Sequence, residues 1–459
     1  MFHIQKKAFG VIGTVLFSIS AAAQTPADLS RVLERLDKLE RENQQLLSEI
    51  RQLRTELHGT AVASPPFEVP VEPAEVPAEA PLAERVAVLE SRTTDLAQTK
   101  VESTQRMSVS ITGMVLFNAF RNSRYGGALQ YPITAALTPA ASTSGATFRQ
   151  TVLGLKFQGP QLPGGGKASG NIYLDFFSGN TTPSNNLFHI RLATLDLTWK
   201  NTTLTVGQDK PINAPREPTS LAQVGFAPLT GSGNLWNWNP QARIEQRFRL
   251  GSETGVRAQT GIFESTDAYP GNNPVAFSAT LERFRPAWQG RFEFFHGPEH
   301  RRFEIAPGFS LSQTHVAGRT VPSRVFSLDW LVRPVRLIEF SGAYYRGSNA
   351  GGLGSLRQGF TVSPTGLVKP VHVSGGWGQA KVFATSRLSL HLYGGEEYDR
   401  ARDLTTGSVV RNIQYSGNAV YKLAPNVLAA FEASQTRTTY LPFGLRLANH
   451  YDLAIGYLF

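Results

Sequence analysis

The stretch HYDLAIGYLF, His450 to Phe459, alternates between two characters. Tyr451, Leu453, Ile455, Tyr457 and Phe459 are apolar or aromatic, and His450, Asp452, Ala454, Gly456 and Leu458 lie between them. Successive side chains of a β-strand point to opposite faces. The spacing therefore predicts a strand with one wholly apolar face and one mixed face of smaller residues. Whatever covers the apolar face decides the fold.

The same period of two recurs from Met107 onward, in stretches of about ten residues separated by turn residues. In MSVSITGMVLFNAF, Val109, Ile111, Gly113, Val115 and Phe117 share a face. In QARIEQRFRL, Ala242, Ile244, Gln246, Phe248 and Leu250 oppose Arg243, Glu245, Arg247 and Arg249. SRLSLHLYG sets Leu388, Leu390 and Leu392 against Arg387, Ser389 and His391, and RNIQYSGNAVYKL sets Ile413, Tyr415 and Tyr421 against Asn412, Gln414 and Lys422. No helical segment in this region could bury the apolar faces. Lipid covers them in an all-β transmembrane barrel, where every backbone polar group is paired between strands. A soluble sandwich would bury the faces against each other, but would need neither an export signal nor an aromatic strand end.

Turn residues give a strand count. Compact connections fall near Gly159–Lys167, Lys200–Thr202, Gly251–Glu253, Pro286–Ala287, Arg333–Val335, Thr385–Ser386 and Ala424–Asn426. Longer ones rich in Gly, Ser, Asn and Pro fall near 121–147, 179–187, 209–239, 264–274, 297–323, 347–370, 399–410 and 438–445. Short inner turns alternate with long outer loops in such barrels, and this alternation predicts about 16 antiparallel strands. Residues 188–199 shift face partway, and 303–316, assigned to a loop, also have strand-like spacing. Counts of 14 and 18 therefore stay open.

Upstream the organisation differs. MFHIQKK carries Lys6 and Lys7, an apolar core follows, and Ala21-Ala22-Ala23 closes residues 1–23, the pattern of a cleaved secretory signal. Residues 24–59 carry a heptad seam through Leu29, Val32, Leu36, Leu39, Asn43, Leu46, Ile50, Leu53 and Leu57, which predicts an α-helical coiled coil. Residues 60–81 are a Pro/Glu-rich linker. Residues 82–105 form a second short coiled-coil helix, and 106–459 the barrel. Cysteine is absent, which excludes disulfides and thiolate metal sites.

Two hexads, RLDKLE at Arg35–Glu40 and RVAVLE at Arg85–Glu90, resemble the pattern of three-stranded coiled coils. The resemblance assigns Arg35, Leu36, Leu39 and Glu40, with Arg85, Val86, Leu89 and Glu90, to a trimeric stalk. Asn43 in the seam fixes register and also suits two strands. The ending Tyr451–Phe459 resembles the C-terminal signal read by the barrel-assembly machinery of the outer membrane. Together these features resemble the DcaP-type trimeric porins, in which a coiled coil precedes a 16-stranded barrel. The resemblance implies a homotrimer in the bacterial outer membrane, a periplasmic stalk and a preference for dicarboxylates. No substrate-binding residue is matched.

Charge directs the functional reading. The chain is +10, yet residues 106–459 hold 34 Lys and Arg against 20 Asp and Glu. Charges on barrel strands avoid lipid, at a cost of about 2–4 kcal/mol for Arg or Lys at the midplane, and so point inward. Arg243, Glu245, Arg247, Arg249, Arg257, Arg387 and Lys422 are the expected pore-lining set. Arg243, Arg247 and Arg249 would form a ladder with about 7 Å between alternate residues, tempered by Glu245. The long Asp209–Asn239 segment, after the fifth strand, is the expected constriction loop, with Lys210 and Arg216 facing Asp209 and Glu217. Trp236 and Trp238 are expected in an interfacial aromatic belt. Basic residues on outer loops would meet lipopolysaccharide phosphates, and a stalk of about 30 helical residues, about 45 Å long, could reach the cell wall.

No catalytic constellation appears. The nine histidines show no metal-ligand spacing, and PGGGK at Pro163–Lys167 departs from a phosphate loop at Gln161 and Ala168. The expectation is no enzyme, no cofactor, no metal and no nucleic-acid partner. The expected function is a water-filled channel for small hydrophilic solutes, preferring anions. The alternative is a plugged or structural barrel acting as an envelope tether or adhesin. The stalk yields a first test: crosslinking should trap three copies, and deletion of residues 28–105 should weaken assembly while leaving the barrel folded. A stable monomer with the stalk intact would contradict this reading.

Overall fold

The computed structural model describes residues 101–102, 108–127, 130–178, 187–265, 285–316, 319–356, 358–363 and 365–459. The signal, both coiled-coil segments (apart from residues 101–102) and the linker lie outside the described residues. Sixteen barrel strands are present. They are β1 (Ser108–Asn122), β2 (Thr143–Thr147 and Val152–Leu162), β3 (Gly166–Ser178), β4 (Leu187–Thr198), β5 (Thr202–Asp209), β6 (Asn239–Arg249), β7 (Thr254–Ser265) and β8 (Arg285–His296). There follow β9 (Phe303–Val316), β10 (Arg319–Val335), β11 (Ile338–Ser348), β12 (His372–Phe383), β13 (Leu388–Asp399), β14 (Val409–Ala424), β15 (Val427–Tyr440) and β16 (Gly444–Leu458). Each strand pairs antiparallel with the next, and β16 pairs with β1, so the sheet closes. Closure leaves no edge, as a spanning sheet requires.

The seam lies in the His450–Phe459 stretch. Met114 to Asn122 face Leu458 to His450, and one further pair is added where Gly113 N–H donates to the Phe459 carbonyl at 3.0 Å and Phe459 N–H returns the bond at 3.2 Å. Gly113 is needed here: a Cβ would stand 2.3 Å from the Val152 carbonyl oxygen and 2.9 Å from the Phe459 ring. The two faces of β16 separate as the alternation predicts. Leu453 and Ile455 are 59% and 55% exposed, while Asp452 and Ala454 are 3% and 2% exposed.

Two expectations about connections are corrected. Pro286 and Ala287 are not a turn; they lie in β8, opposite Glu264 and Phe263 of β7. Nor is 297–323 an outer loop. Residues 297–302 are a short connection, 303–316 are β9, and β10 follows after 317–318. Pro307 disguised β9, because a proline cannot donate to a ladder. The structure accommodates it in a gap of the β8–β9 ladder, which resumes at Ile305 and Gly308. The face shift in 188–199 also has a cause. Tyr173 pairs with Leu192 but Leu174 pairs with Ile190, so Arg191 is an extra, bulged residue.

The two errors cancel in the count. Seven short connections, the start of β1 and Phe459 lie at one end of the barrel; the longer segments lie at the other, together with the short connections 317–318 and 441–443. Phe459 is on the outward face, whereas Leu458 lies opposite Met114. Replacing Phe459 with Asp, or deleting it, should lower membrane insertion more than Leu458→Ala does, measured as the heat-modifiable fraction in isolated membranes. Equal insertion would contradict this register.

Candidate functional site: the charged inner wall

The segment between β5 and β6, residues 210–238, runs around the inside of the barrel. Its main chain is held by inward side chains of strand after strand. Ile212 N–H donates to Gln289 Oε1 on β8 at 2.7 Å, and Ser327 Oγ on β10 donates to the Asn213 carbonyl at 3.0 Å. Asn418 Nδ2 on β14 donates to the Thr219 carbonyl at 2.9 Å, and Asn118 Nδ2 on β1 to that of Leu221 at 2.8 Å. Gln150, between the two parts of β2, accepts from Val224 and Gly225 and donates to Ala222. Every contact satisfies a backbone group that would otherwise be orphaned inside the barrel.

The first long segment also turns inward, with Tyr131 Oη 3.3 Å from Ser434 Oγ and Ala135 N–H donating to Thr438. So does 349–371, where Leu356 N–H donates to Glu397 at 2.8 Å. Residues 211–214 and 227–236 are buried as a result. Trp236 is among them: it packs edge-on against Phe226 and Trp238, not in an interfacial belt. Trp238 in turn stacks on the Arg191 guanidinium at 4.6 Å. The belt expectation fails for both, because loop 210–238 runs inside the barrel and not along its rim.

Charge is divided unequally around the wall. On β6 to β10 one connected network joins five arginines and four carboxylates. Arg247 pairs with Glu245 at 2.7 Å; Arg257 bridges Glu245 and Glu293; Arg291 bridges Glu293 at 2.6 Å and Asp329 at 2.7 Å. Arg216 then reaches Asp329 at 3.0 Å and also Glu304, which pairs with Arg302 at 2.7 Å. Across the lumen, Glu397, Asp399 and Glu432 are buried, and no Lys or Arg pairs with them among the described residues. Glu432 instead accepts from Ser220 at 2.6 Å, Tyr393 at 2.7 Å and Asn418 at 3.0 Å. Strand β13 thus sends Tyr393 and Glu397 inward beside residues of 210–238 and 349–371.

The residues expected at the site are placed as follows. Arg243, Glu245, Arg247 and Arg249 point inward from β6, and Arg257 from β7. Arg387 and Lys422 sit together at the short-turn end, where Lys422 N–H donates to the Arg387 carbonyl. Glu217 opposes a loop cation, Lys210, at 2.9 Å, whereas Asp209 opposes Arg243 of β6 at 2.6 Å, so both carboxylates are neutralised by near neighbours. Of the expected ladder, Arg243 pairs with Asp209 and Arg247 with Glu245, the neighbour expected to temper it. Arg249 alone of the three makes no ion pair among the described residues.

Arg249 and Arg247 open into a cavity of about 450 Å3 at the short-turn end, which Arg257, Arg302, Glu293 and Glu304 also line. Arg291, Glu293, Glu304 and Asp329 were not singled out from sequence. Gln289, Arg291 and Glu293 do alternate with Trp288, Gly290 and Phe292, so the signal was present but masked by the turn assigned at Pro286. Arg291 is fully buried. Removing one partner of a buried ion pair costs about 3–5 kcal/mol. Arg291→Met should therefore destabilise the barrel by about that amount in reversible urea unfolding from lipid vesicles, far more than Arg249→Met does.

No family model matches the sequence, and no curated protein matches it. Among solved structures the chain is similar to the outer membrane channel DcaP of Acinetobacter baumannii, at 15% identity and a TM-score of 0.65, over 79% of this chain and 100% of that one. It is also similar to an anion-selective porin from Comamonas acidovorans, at 13% identity and a TM-score of 0.53, over 77% of this chain and 100% of that one. The chain has the closed 16-stranded antiparallel barrel fold of these outer-membrane channels.

Proposed function

We propose that this chain is a porin of the bacterial outer membrane: a water-filled channel through which small hydrophilic solutes diffuse, with a preference for anions. The observation that carries the reading is the surplus of cations on the β6 to β10 side of the inner wall. Five arginines are balanced by four carboxylates in the network, and Arg249 adds a further cation with no carboxylate of its own. Positive side chains along a narrow aqueous path raise local anion concentration and repel cations. Arg247 is 59% exposed and Arg249 lines the same cavity, so a solute meets both at the mouth. Arg387 and Lys422 extend the positive rim, and on the loop that narrows the path Lys210 is offset by Glu217 while Arg216 belongs to the network. The anion-selective porin among the similar structures supports the same direction.

In this reading the short-turn end faces the periplasm, the barrel-assembly machinery inserts the chain, and the stalk joins three copies and extends toward the cell wall. The side chains at the site bind and steer solutes and perform no chemistry. A second reading, a nearly closed barrel serving as a tether or adhesin, is favoured by the buried runs 211–214 and 227–236. Liposome swelling separates the two, because only a channel admits small sugars and acids. The channel itself is tested by the zero-current potential in a KCl gradient. Wild type should be anion-selective, and Arg247→Gln with Arg249→Gln should reduce that selectivity. A cation-selective wild type would overturn the charge argument, and an unchanged double variant would place selectivity at the 210–238 loop.

A further inference from the structure

The outward face of β12 to β16 departs from the rest of the apolar belt. Along most of these strands outward side chains are large: Leu390, Tyr421, Phe431, Leu453 and Ile455 are all exposed. Midway up, small residues recur. Gly378 lies directly opposite Gly394, and Gly417 directly opposite Ala433, with Tyr415 and Leu392 standing opposite Gly394 and Gly417 between the two pairs. The result is a trench of about 610 Å3, bounded by Leu392, Tyr415 and Tyr451. That size is within the range of small-molecule sites.

The trench lies where the lipid-facing surface changes character. Its upper rim is a chain of polar side chains, Tyr415 to Gln435 and Gln435 Nε2 to Asn449 Oδ1 at 2.8 Å. Toward the short turns every outward neighbour is apolar. Toward the long loops the next outward position on β15 is Arg437, 6.0 Å from the Tyr415 ring centroid, and Arg121 on β1 lies opposite Tyr451 at the trench's side. Both arginines are exposed, and among the described residues neither makes an ion pair. The nearest outward carboxylate, Glu396, is already held by Arg411 at 2.7 and 2.9 Å. Two guanidinium groups without ion pairs, one above the apolar trench and one beside it, fit a molecule with phosphate at one end and hydrocarbon at the other, because Arg binds phosphate oxygens in a bidentate fork.

We infer that this trench is a specific site for a phosphorylated glycolipid of the outer leaflet, lipid A, with an acyl chain on Gly378 and Gly394 and its two phosphates on Arg437 and Arg121. The long-loop end fixes the leaflet, since that end faces outward in barrels of this class. Such a lipid would brace the wall carrying β13 and β15, whose inward faces hold the buried carboxylates Glu397 and Glu432.

Native mass spectrometry of the full chain, purified in detergent and titrated with bisphosphorylated lipid A, its dephosphorylated form and phosphatidylglycerol, tests the site. Wild type should hold the bisphosphorylated form at least roughly tenfold more tightly than the other two, the factor expected for one charge-assisted contact. Arg121→Gln with Arg437→Gln should abolish that tenfold preference. Gly378→Leu should abolish retention itself; a Cβ there meets nothing within 4 Å, so the wall has room for the substitution. Heat-modifiable mobility checks that each variant is folded, and the arginine variant decides alone should the leucine variant fail. Equal retention by wild type and variants, or equal affinity for phosphatidylglycerol, would overturn the proposal. A change in subunit number with Gly378→Leu would overturn it as well, because a second copy of the chain would then be the occupant.

Discussion

Everything in this structure depends on the pairing of β1 with β16. In hydrocarbon there is no water to satisfy a free N–H or carbonyl, so a sheet spans a membrane only when its last strand bonds its first. Here that condition is met from Met114–Leu458 to Asn122–His450, and the final Gly113–Phe459 pair extends it to the end of the chain. With the edge gone, each strand has one face for lipid and one for the interior, and side-chain chemistry follows from that division.

Closure creates a second problem, an interior wide enough to need filling. The chain narrows it with its own loops, and the loop main chains take their hydrogen bonds from inward Gln, Asn, Ser and Glu side chains. This explains why the inner wall is rich in uncharged polar residues. It also explains why the cations are paired: an arginine as enclosed as Arg291 stays charged only with carboxylates against it, and Asp329 and Glu293 supply them. The cation without a carboxylate of its own among the described residues, Arg249, lies where enclosure is least, beside the exposed Arg247 near the short-turn mouth. Stability draws on the deep pairs of this network, and the selectivity proposed for the channel would draw on its shallow end.

The fold was legible in the sequence to the extent that it is local. Period-two alternation along β6, β13, β14 and β16 fixes which side chains face inward, and all four assignments agree with the exposures. The face shift at 188–199 was visible as well, and its cause is the bulge at Arg191. The strand β9 was obscured because Pro307 reads as a breaker unless the neighbouring ladder is known to have a gap beside it. The site was legible only by face, not by partner. That Arg243 points inward follows from spacing on one strand, but its pairing with Asp209 depends on the β5–β6 register. The path of 210–238 depends on strands more than two hundred residues away, such as β15 with Glu432, and no local pattern encodes that. The stalk, with its hexads at Arg35 and Arg85, lies outside the described residues.

The central claim is that water reaches one face of these strands and lipid the other, with the exposed arginines on the water side. The chain has no cysteine, so single cysteines can be introduced without background. Labelling of Arg247→Cys, Arg249→Cys, Ile244→Cys and Phe248→Cys by a membrane-impermeant maleimide, in the native membrane, measures this division residue by residue. The account predicts labelling at 247 and 249 and protection at 244 and 248. Labelling at all four positions, or the reverse pattern, would contradict it.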